Sequence, residues 1–306
     1  MDLEDIVLLR NQVWDAHPII IECAILPTPG VQHIVSLVSK AGRKSRASLA
    51  VIANPMTGKS FCAKAVAIEM KRSKPGCGVL IFEVVEDEAQ AEGRILSEFL
   101  NQIDFAPTIV RDLSGKRKQV HRALLALAGD AKHLFLIFDE AQELSPKEYA
   151  WIKAVINRLV NDHVKVTVVL FGQTELREKI SRLEDARSDL VKRFGSKLYN
   201  LVGLRNVDDL SVVLEAMDSK SEFPAGSGLT YTQLLLPRFY AAGGRLAAHA
   251  EGIWAKLSKY RSSRTANSVS MSICAGFLAN LMMALRGHDS EDMKITSEFI
   301  NKIPVD

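Results

Sequence analysis

The sequence predicts an α/β fold built on a parallel five-stranded sheet, and three observations support this prediction. Five apolar stretches have the length of strands, and the stretches between them have the length and pattern of helices. Several are apolar throughout, which is typical of strands buried on both faces of a parallel sheet. Polar residues come directly after several of these stretches, at the carboxyl ends of the strands, where such sheets bind ligands. The predicted strands are Leu49–Ala53, Gly78–Val85, Leu134–Phe138, Val164–Phe171 and Lys197–Val202.

The first strand runs into a loop of the phosphate-binding type. Gly58, Lys59 and Ser60 follow the loop and open a helix, whose N-terminus and backbone N–H groups attract an anion. Lys59 would neutralise the β- and γ-phosphates, and the Ser60 hydroxyl would bind Mg²⁺. Ala53 stands where the consensus has glycine, so an ordinary turn before a helix is the alternative. The candidate nucleotide-binding residues are Asn54, Pro55, Met56, Thr57, Gly58, Lys59, Ser60 and Phe61.

Two carboxylates follow the third strand. Asp139 is suited to hold Mg²⁺ together with Ser60, and Glu140 is suited to orient and deprotonate an attacking water. A strand that ends in two solvated acids is the alternative for this motif alone. Its combination with Lys59 in a strand–loop–helix context predicts an ATPase that uses ATP and Mg²⁺.

Polar residues near the fourth and fifth strands complete the candidate site. Gln173 or Thr174, at the end of the fourth strand, is placed to sense the γ-phosphate. Arg193 precedes the fifth strand, and Arg187 lies one or two turns earlier. Each is either an ordinary surface arginine or an arginine donated across a subunit boundary, where it would stabilise transition-state charge.

Three segments are predicted. Residues 1–46 form an N-terminal helical arm, in which the Pro-rich segment 17–30 is more arm than core. Residues 47–205 form the ATPase core, and residues 206–306 form an α-helical lid and tail. Arg245 in the lid follows two glycines and is expected to face the phosphates. Helices are predicted at 1–16, 31–41, 58–72, 88–103, from the run at 116–118 to about 128, and at 145–160, 181–192, 208–218, 231–242, 245–258, 267–286 and 297–303.

The net charge is only +3, so binding of nucleic acid requires local basic patches. The stretch Lys40–Arg46 is interpreted as an exposed basic connector in preference to a phosphate contact. The run Lys116–Lys118 lies at a helix start, where cations oppose the helix dipole. A polyanion contact and a solvated helix end explain that run equally well.

The four cysteines are scattered and form no CxxC pair. This pattern predicts a reducing compartment, with neither a disulfide framework nor a zinc site. The N-terminus has no secretory signal pattern, and no apolar stretch is long enough to span a bilayer. The expected location is cytoplasmic, with no membrane partner.

Four motifs resemble those of the AAA+ ATPases that include the TniB and TnsC transposition regulators. They are Phe138–Ser145, Gly172–Arg177, Arg193–Phe194 and Gly243–Arg245. The resemblance covers roughly residues 30–260 and implies a P-loop AAA+ core with a helical lid. ExeA-type secretion ATPases belong to the same group, but they carry a membrane segment that this sequence lacks.

The resemblance implies a slow, regulatory ATPase that forms rings or helical filaments on double-stranded DNA. Its expected partners are copies of itself, a transposase and a target-selecting protein. It assigns Glu140, Gln173 and Arg193 to catalysis and Arg245 to the lid sensor. The DNA contacts it implies are Arg111, Lys116, Arg117 and Lys118.

Two other functions are compatible with the same core. One is an AAA+ helicase loader or replication initiator, which would also bind DNA. The other is a DNA-free, ATP-switched interaction module in secretion or defence, which the modest net charge leaves open.

Overall fold

The structure is a computed structural model that describes residues 1–44, 46–86, 90–194, 197–262 and 267–305, without the side chain of Arg46. It divides into two compact units. The sheet unit comprises His33–Pro55 and Lys59–Leu201. The helical unit comprises Met1–Gln32, Met56–Gly58 and Val202–Asp306. The predicted domain boundaries at residues 46 and 205 stay a prediction.

The sheet has five parallel strands, as predicted. They are β1 (Arg46–Ala53), β2 (Gly78–Glu83), β3 (His133–Asp139), β4 (Lys165–Gly172) and β5 (Leu198–Leu201). Their order is β2-β3-β4-β1-β5, and every neighbouring pair is parallel. In register, Ile52 lies opposite Gly172 and Glu83 lies opposite Asp139. The carboxyl ends of the strands therefore meet at one edge, where sheets of this kind bind ligands.

Helices connect the strands and make up most of the helical unit. They are α1 (Leu3–Val13), α2 (Pro29–Ala41), α3 (Lys59–Ser73), α4 (Glu92–Gln102), α5 (Leu113–Leu127), α6 (Pro146–Asn161), α7 (Thr174–Ala186), α8 (Ser188–Phe194), α9 (Val207–Ser219), α10 (Tyr231–Leu235), α11 (Pro237–Ala241), α12 (Ala250–Leu257), α13 (Met271–Leu285) and α14 (Ser297–Lys302). Helix α6 begins as its sequence predicts, because Ser145 and Glu148 form a capping box around Pro146.

The core of the sheet unit is aromatic where β2, β3 and α4 meet. The ring centroids of Phe82 and Phe99 lie 4.5 Å apart, and those of Phe82 and Phe138 lie 5.4 Å apart. All three side chains are buried. Because Phe138 immediately precedes Asp139, this packing fixes the end of β3 that carries the two acids.

Two predicted helices are each divided in the structure. The helix predicted at 181–192 is instead α7, which begins earlier at Thr174, and α8. They separate at Arg187, whose φ of −146° and ψ of 64° lie outside the helical region. The helix predicted at 231–242 is divided into α10 and α11 at Pro237, which supplies no N–H for a continuous helix.

The segment that follows α1 is partly core, which corrects its interpretation as an arm. Trp14 and Ile19 belong to the buried cluster of the helical unit, and His17 is fully buried. Helix α1 is joined to the same unit by an ion pair between Arg10 and Asp289, with Nη1 and Oδ2 2.9 Å apart. The backbone N–H of Phe239 also donates to Asp289.

The four cysteines are free thiols: Cys62 and Cys274 are buried, Cys23 is exposed and Cys77 is half-buried. Within the described part of the chain, no helix combines the length and the apolar character that crossing a membrane requires.

Candidate nucleotide site

The loop after β1 has the backbone of an anion cradle. Gly58 has a φ of +93°, a left-handed conformation that glycine adopts without strain. Helix α3 begins at the next residue, so the free N–H groups of its first turn follow the loop directly. The Thr57 hydroxyl is buried and has no hydrogen-bond partner among the described residues. The first turn of α3 therefore supplies donors of the kind that bind a phosphate group.

Lys59 lies between the two acids at the end of β3. Its Nζ is 2.5 Å from Oε1 of Glu140 and 3.8 Å from Oδ1 of Asp139. Both the Lys59 side chain and Asp139 are about nine-tenths buried. The sheet order explains the encounter, because β1 and β3 both flank β4 and end at the same edge. The two motifs predicted from sequence are thus one cluster.

Glu140 adopts a backbone conformation that aims its side chain at Lys59. Its φ of 53° and ψ of 39° are left-handed, and its N–H donates to Oδ1 of Asp139 at 3.0 Å. Burial raises the pKa of Glu140, but hydrogen bonds from Lys59 and Gln142 outweigh it, so the net pKa lies below the ordinary value. Glu140 is therefore a carboxylate at neutral pH, as a general base must be.

Gln142 connects the ends of β3 and β4, a role that the sequence analysis missed. Its Nε2 donates to Oε2 of Glu140 at 2.5 Å, and its Oε1 accepts the backbone N–H of Gln173 at 3.1 Å. A Cβ at Gly172 would come within 2.9 Å of that same Oε1, so glycine leaves room for the bridge. The signal available in the sequence was the glutamine two residues after Glu140.

The turn that carries Gln142 is held from both sides. The Nζ of Lys179 in α7 donates to the backbone oxygen of Gln142 and to that of Leu144, the latter at 3.0 Å. The Tyr149 hydroxyl donates to the oxygen of Ala141 at 3.1 Å. Burial lowers the pKa of Lys179, and nearby acids oppose that shift. The positions of Glu140 and Gln142 are fixed by these contacts.

Arg187 and Arg193, the two candidates for an arginine donated across a subunit boundary, differ in their surroundings. Arg187 donates to Asp189 from Nε at 2.9 Å, and Asp189 also accepts from Lys153. Arg193 is half-buried in α8 and lines a cleft with Ala47 at the start of β1. Ala47 lies at the amino end of β1, ~20 Å along the strand from the carboxyl end that leads to Lys59. Catalysis by Arg193 stays a prediction about a neighbouring subunit.

Arg245 lies in the helical unit and contacts its own turn. Its Nη1 donates to the backbone oxygens of Tyr240 at 3.1 Å and Gly244 at 2.6 Å. Its guanidinium carbon also stacks 3.7 Å from the centroid of the Tyr240 ring. The role of Arg245 as a lid sensor stays a prediction.

The four predicted DNA contacts fall into two kinds. Lys116 donates to the backbone oxygen of Gly93 at 3.1 Å, and Arg117 forms a bidentate pair with Glu92. These two side chains join α5 to the start of α4. Arg111 and Lys118 are exposed to solvent. The four residues thus form no uniformly exposed basic run, and their contact with DNA stays a prediction.

Ser60 and Asp139 are the residues that would hold a metal ion. Among the residues that the structure describes, no three His, Cys, Asp or Glu side chains cluster in a way that could hold one. Mg²⁺, however, is usually bound through one or two carboxylates, nucleotide phosphates and waters. The oxygen atoms of Ser60 and Asp139, close to Lys59, have the chemistry that this mode requires.

Comparisons with known proteins agree with the fold of the sheet unit. Residues 42–180 match a family model described as an AAA domain. No curated protein matches the sequence. The fold is similar to that of the Aeropyrum pernix ORC2 protein in its ADPNP–ADP complexes, with 14% identity, coverage of 93% of this chain and 70% of that one, and a TM-score of 0.61.

Two further solved structures have the same fold at lower similarity. Cdc6p from Pyrobaculum aerophilum is 13% identical, with coverage of 85% of this chain and 62% of that one and a TM-score of 0.52. Drosophila ORC bound to DNA is 11% identical, with coverage of 89% and 65% and a TM-score of 0.53. At this identity the likeness concerns the fold. The chain therefore has the AAA+ P-loop fold, and its residues 42–180 are similar to an AAA domain.

Proposed function

We propose that this protein is an ATP-hydrolysing switch of the initiator or helicase-loader type that assembles on double-stranded DNA. The observation that carries the proposal is the contact of Lys59 with both Glu140 and Asp139 at the carboxyl edge of the sheet. A cation, a metal-binding acid and a second acid in this arrangement are the parts that phosphoryl transfer requires.

The residues present fit ATP and Mg²⁺. The donors around Gly58 and the start of α3 would bind the phosphates, and Ser60 and Asp139 would hold the metal. When bound, Mg·ATP supplies the γ-phosphoryl group that water attacks. Lys59 would bind the β- and γ-phosphate oxygens, which compete with Glu140 for its ammonium. Glu140, released from Lys59, would take a proton from the attacking water at its carboxylate oxygen.

Gln142 and Gln173 give this switch a route from chemistry to conformation. Gln142 bonds both the Glu140 carboxylate and the start of α7 at Gln173. A change in the position of Glu140 on binding would therefore act on α7. This supports a coupling of the site to α7, and sensing of the γ-phosphate by the Gln173 side chain stays a prediction.

Association with DNA is supported by one similar solved structure, and binding of an adenine nucleotide by another. Drosophila ORC was solved bound to DNA, and Aeropyrum pernix ORC2 was solved with ADPNP and ADP. These likenesses favour the initiator type over the other functions that the sequence left open.

A second candidate is a regulator of DNA transposition with a transposase and a target selector as partners. It is favoured by the motifs Phe138–Ser145 and Gly172–Arg177, which resemble those of the TniB and TnsC group. The two candidates share ATP binding and assembly on DNA, and they differ in the partner protein.

Electron microscopy of the purified protein with double-stranded DNA, in ATP and in ADP, tests the proposal. We expect rings or filaments on DNA with ATP and their loss with ADP. Binding of ATP without assembly on DNA in either nucleotide would instead favour the DNA-free interaction module. Capture assays with a purified helicase and a purified transposase would then separate the two DNA-associated candidates.

A further inference from the structure

A cleft of about 400 Å³ on the sheet unit is lined by five basic residues. We name it the basic cleft and define it by Lys40, Lys44, Lys192, Arg193 and Lys197. The four lysines are exposed and Arg193 is half-buried. Among the described residues that line the cleft, none is acidic.

The cleft is assembled from distant parts of the sequence. The end of α2 contributes Lys40, the residue before β5 contributes Lys197, and α8 contributes Lys192 between them. The start of β1 supplies its floor at Ala47 and Ser48. Lys40 and Lys44, from the stretch interpreted above as a basic connector, thus line one wall of a basic surface, because packing brings them into one cleft with Lys192 and Lys197.

Like charges that line one concave surface raise its electrostatic potential and attract anions. Exposed lysine ammonium groups hold an extended polyanion through many weak contacts, whereas one small anion is usually enclosed by buried donors. The hydroxyls of Ser48 and Tyr199, which also line the cleft, add donors of the kind that contact nucleic-acid phosphates.

We propose that the basic cleft binds the phosphate backbone of double-stranded DNA. The proposal rests on the DNA association in the proposed function and assigns that association to a site. A concave cleft accommodates the ridge of a phosphodiester backbone, which a flat bilayer surface does not match. It also differs from the surface at Lys116 and Arg117, where both side chains are committed to α4.

The test compares two neutralised variants with equal net charge. Lys40→Gln/Lys197→Gln removes one lysine from each wall of the cleft. Lys71→Gln/Lys132→Gln, the control, removes two lysines outside the cleft, from the end of α3 and from the residue before β3. Arg193 is left unchanged because catalysis is predicted for it. Affinity for a fluorescent DNA duplex is measured in ATP from about 50 to 300 mM salt.

We expect the cleft variant to bind the duplex more weakly. The slope of log K against log salt should become less steep by about 0.9 for each phosphate contact that is lost. The control should keep the wild-type slope. The single variants Lys40→Gln and Lys197→Gln should each show about half of the effect, with unchanged ATP turnover and thermal midpoint.

Three outcomes would overturn the assignment. If the wild type binds the duplex and the cleft variant keeps its slope, the cleft is not the site and the proposed function stands. If the wild type hydrolyses ATP but does not bind the duplex, the DNA association itself fails. If the cleft variant loses binding to phosphatidylserine vesicles and keeps binding to the duplex, the cleft belongs to a membrane contact.

Discussion

The Nζ of Lys59 lies 2.5 Å from Oε1 of Glu140, in a contact that joins the start of α3 to the end of β3. The two side chains were assigned separate tasks from the sequence, one on the phosphates and one on water. Their direct contact means that each controls the availability of the other. If Lys59 binds a phosphate as proposed, the same event would release Glu140.

The first prediction concerns the removal of the Lys59 ammonium group. Lys59→Ala should abolish ATP binding, because the phosphates lose their cation and Glu140 and Asp139 become two unopposed carboxylates. Binding of a fluorescent ATP analogue measures the effect. Lys71→Ala, near the end of the same helix and exposed, should bind as the wild type does. Equal affinity of the Lys59→Ala protein and the wild type would refute the phosphate role.

The second prediction concerns the general base. Glu140→Gln should bind ATP and hydrolyse it 10²–10⁴-fold more slowly, the range that general-base catalysis typically contributes, about 3–5 kcal/mol of barrier. The variant should also accumulate in the assembled state on DNA. Glu184→Gln changes an exposed acid of α7 outside the cluster and should turn over as the wild type does. Wild-type turnover by Glu140→Gln would reject the assignment.

The third prediction concerns the bridge at Gln142. Gln142→Ala should lower kcat by roughly tenfold, about 1.4 kcal/mol, while ATP affinity stays near that of the wild type. The reason is that Glu140 loses a hydrogen bond that positions it, whereas Lys59 is untouched. Gln142→Glu should be slower still, because it places a second carboxylate beside Glu140. An unchanged kcat in both variants would show that the bridge has no role in turnover.

The fourth prediction concerns pH and the stability of the helical unit. Burial lowers the pKa of His17 to about 4, from an ordinary value of 6.5. The neutral ring accepts the Ile19 N–H at Nδ1, 3.1 Å away. Between pH 6.5 and 4 the unfolded chain binds a proton that the folded chain does not. Stability is therefore fully present above pH 6.5 and falls as pH drops, by at most about 1.4 kcal/mol per pH unit.

Urea unfolding at pH 7.5 and pH 5 measures this dependence. His17→Asn offers an acceptor for Ile19 without the titration, so its loss of stability at pH 5 should be smaller than in the wild type. Burial also lowers the pKa of His133, to about 4, and this histidine remains in the variant. The dependence should thus be reduced rather than abolished. An equal loss in both proteins would exclude His17 as a cause.

The fifth prediction concerns the pair of Arg10 and Asp289. Arg10→Ala should lower the free energy of unfolding by about 3–5 kcal/mol, because it leaves a buried carboxylate without its cation. Glu4→Ala, on the same helix, breaks an exposed pair with Arg238 and should cost at most about 1 kcal/mol. Denaturant unfolding compares the two. A similar small loss in both variants would contradict a structural role for the buried pair.

The sequence predicted the sheet well, because continuous apolar stretches mark buried parallel strands. The same stretches predict the class of the fold. The contact of Lys59 with Asp139 and Glu140 is expected because the carboxyl ends of parallel strands lie on the same side of a sheet. The break at Pro237 was overlooked although its signal was present.

Other features depend on tertiary packing that no local pattern encodes. The bridge from Gln142 to Gln173 requires that β3 and β4 be neighbours, which the sequence does not state. The basic cleft requires that α2 and the entry to β5 pack together. The bonds of Arg117 to Glu92 likewise depend on how α5 lies against α4.

Strand β5 has a consequence for solubility. It lies at the edge of the sheet, pairs with β1 along only four residues and ends in the buried Leu201. A long flat edge is a template on which other chains add strands and aggregate. Here the edge is short, exposed Lys197 precedes it, and Arg177 donates to Asn200 from a neighbouring helix at 2.8 Å. The same lysine that lines the basic cleft therefore also discourages unwanted strand addition when many copies are crowded together.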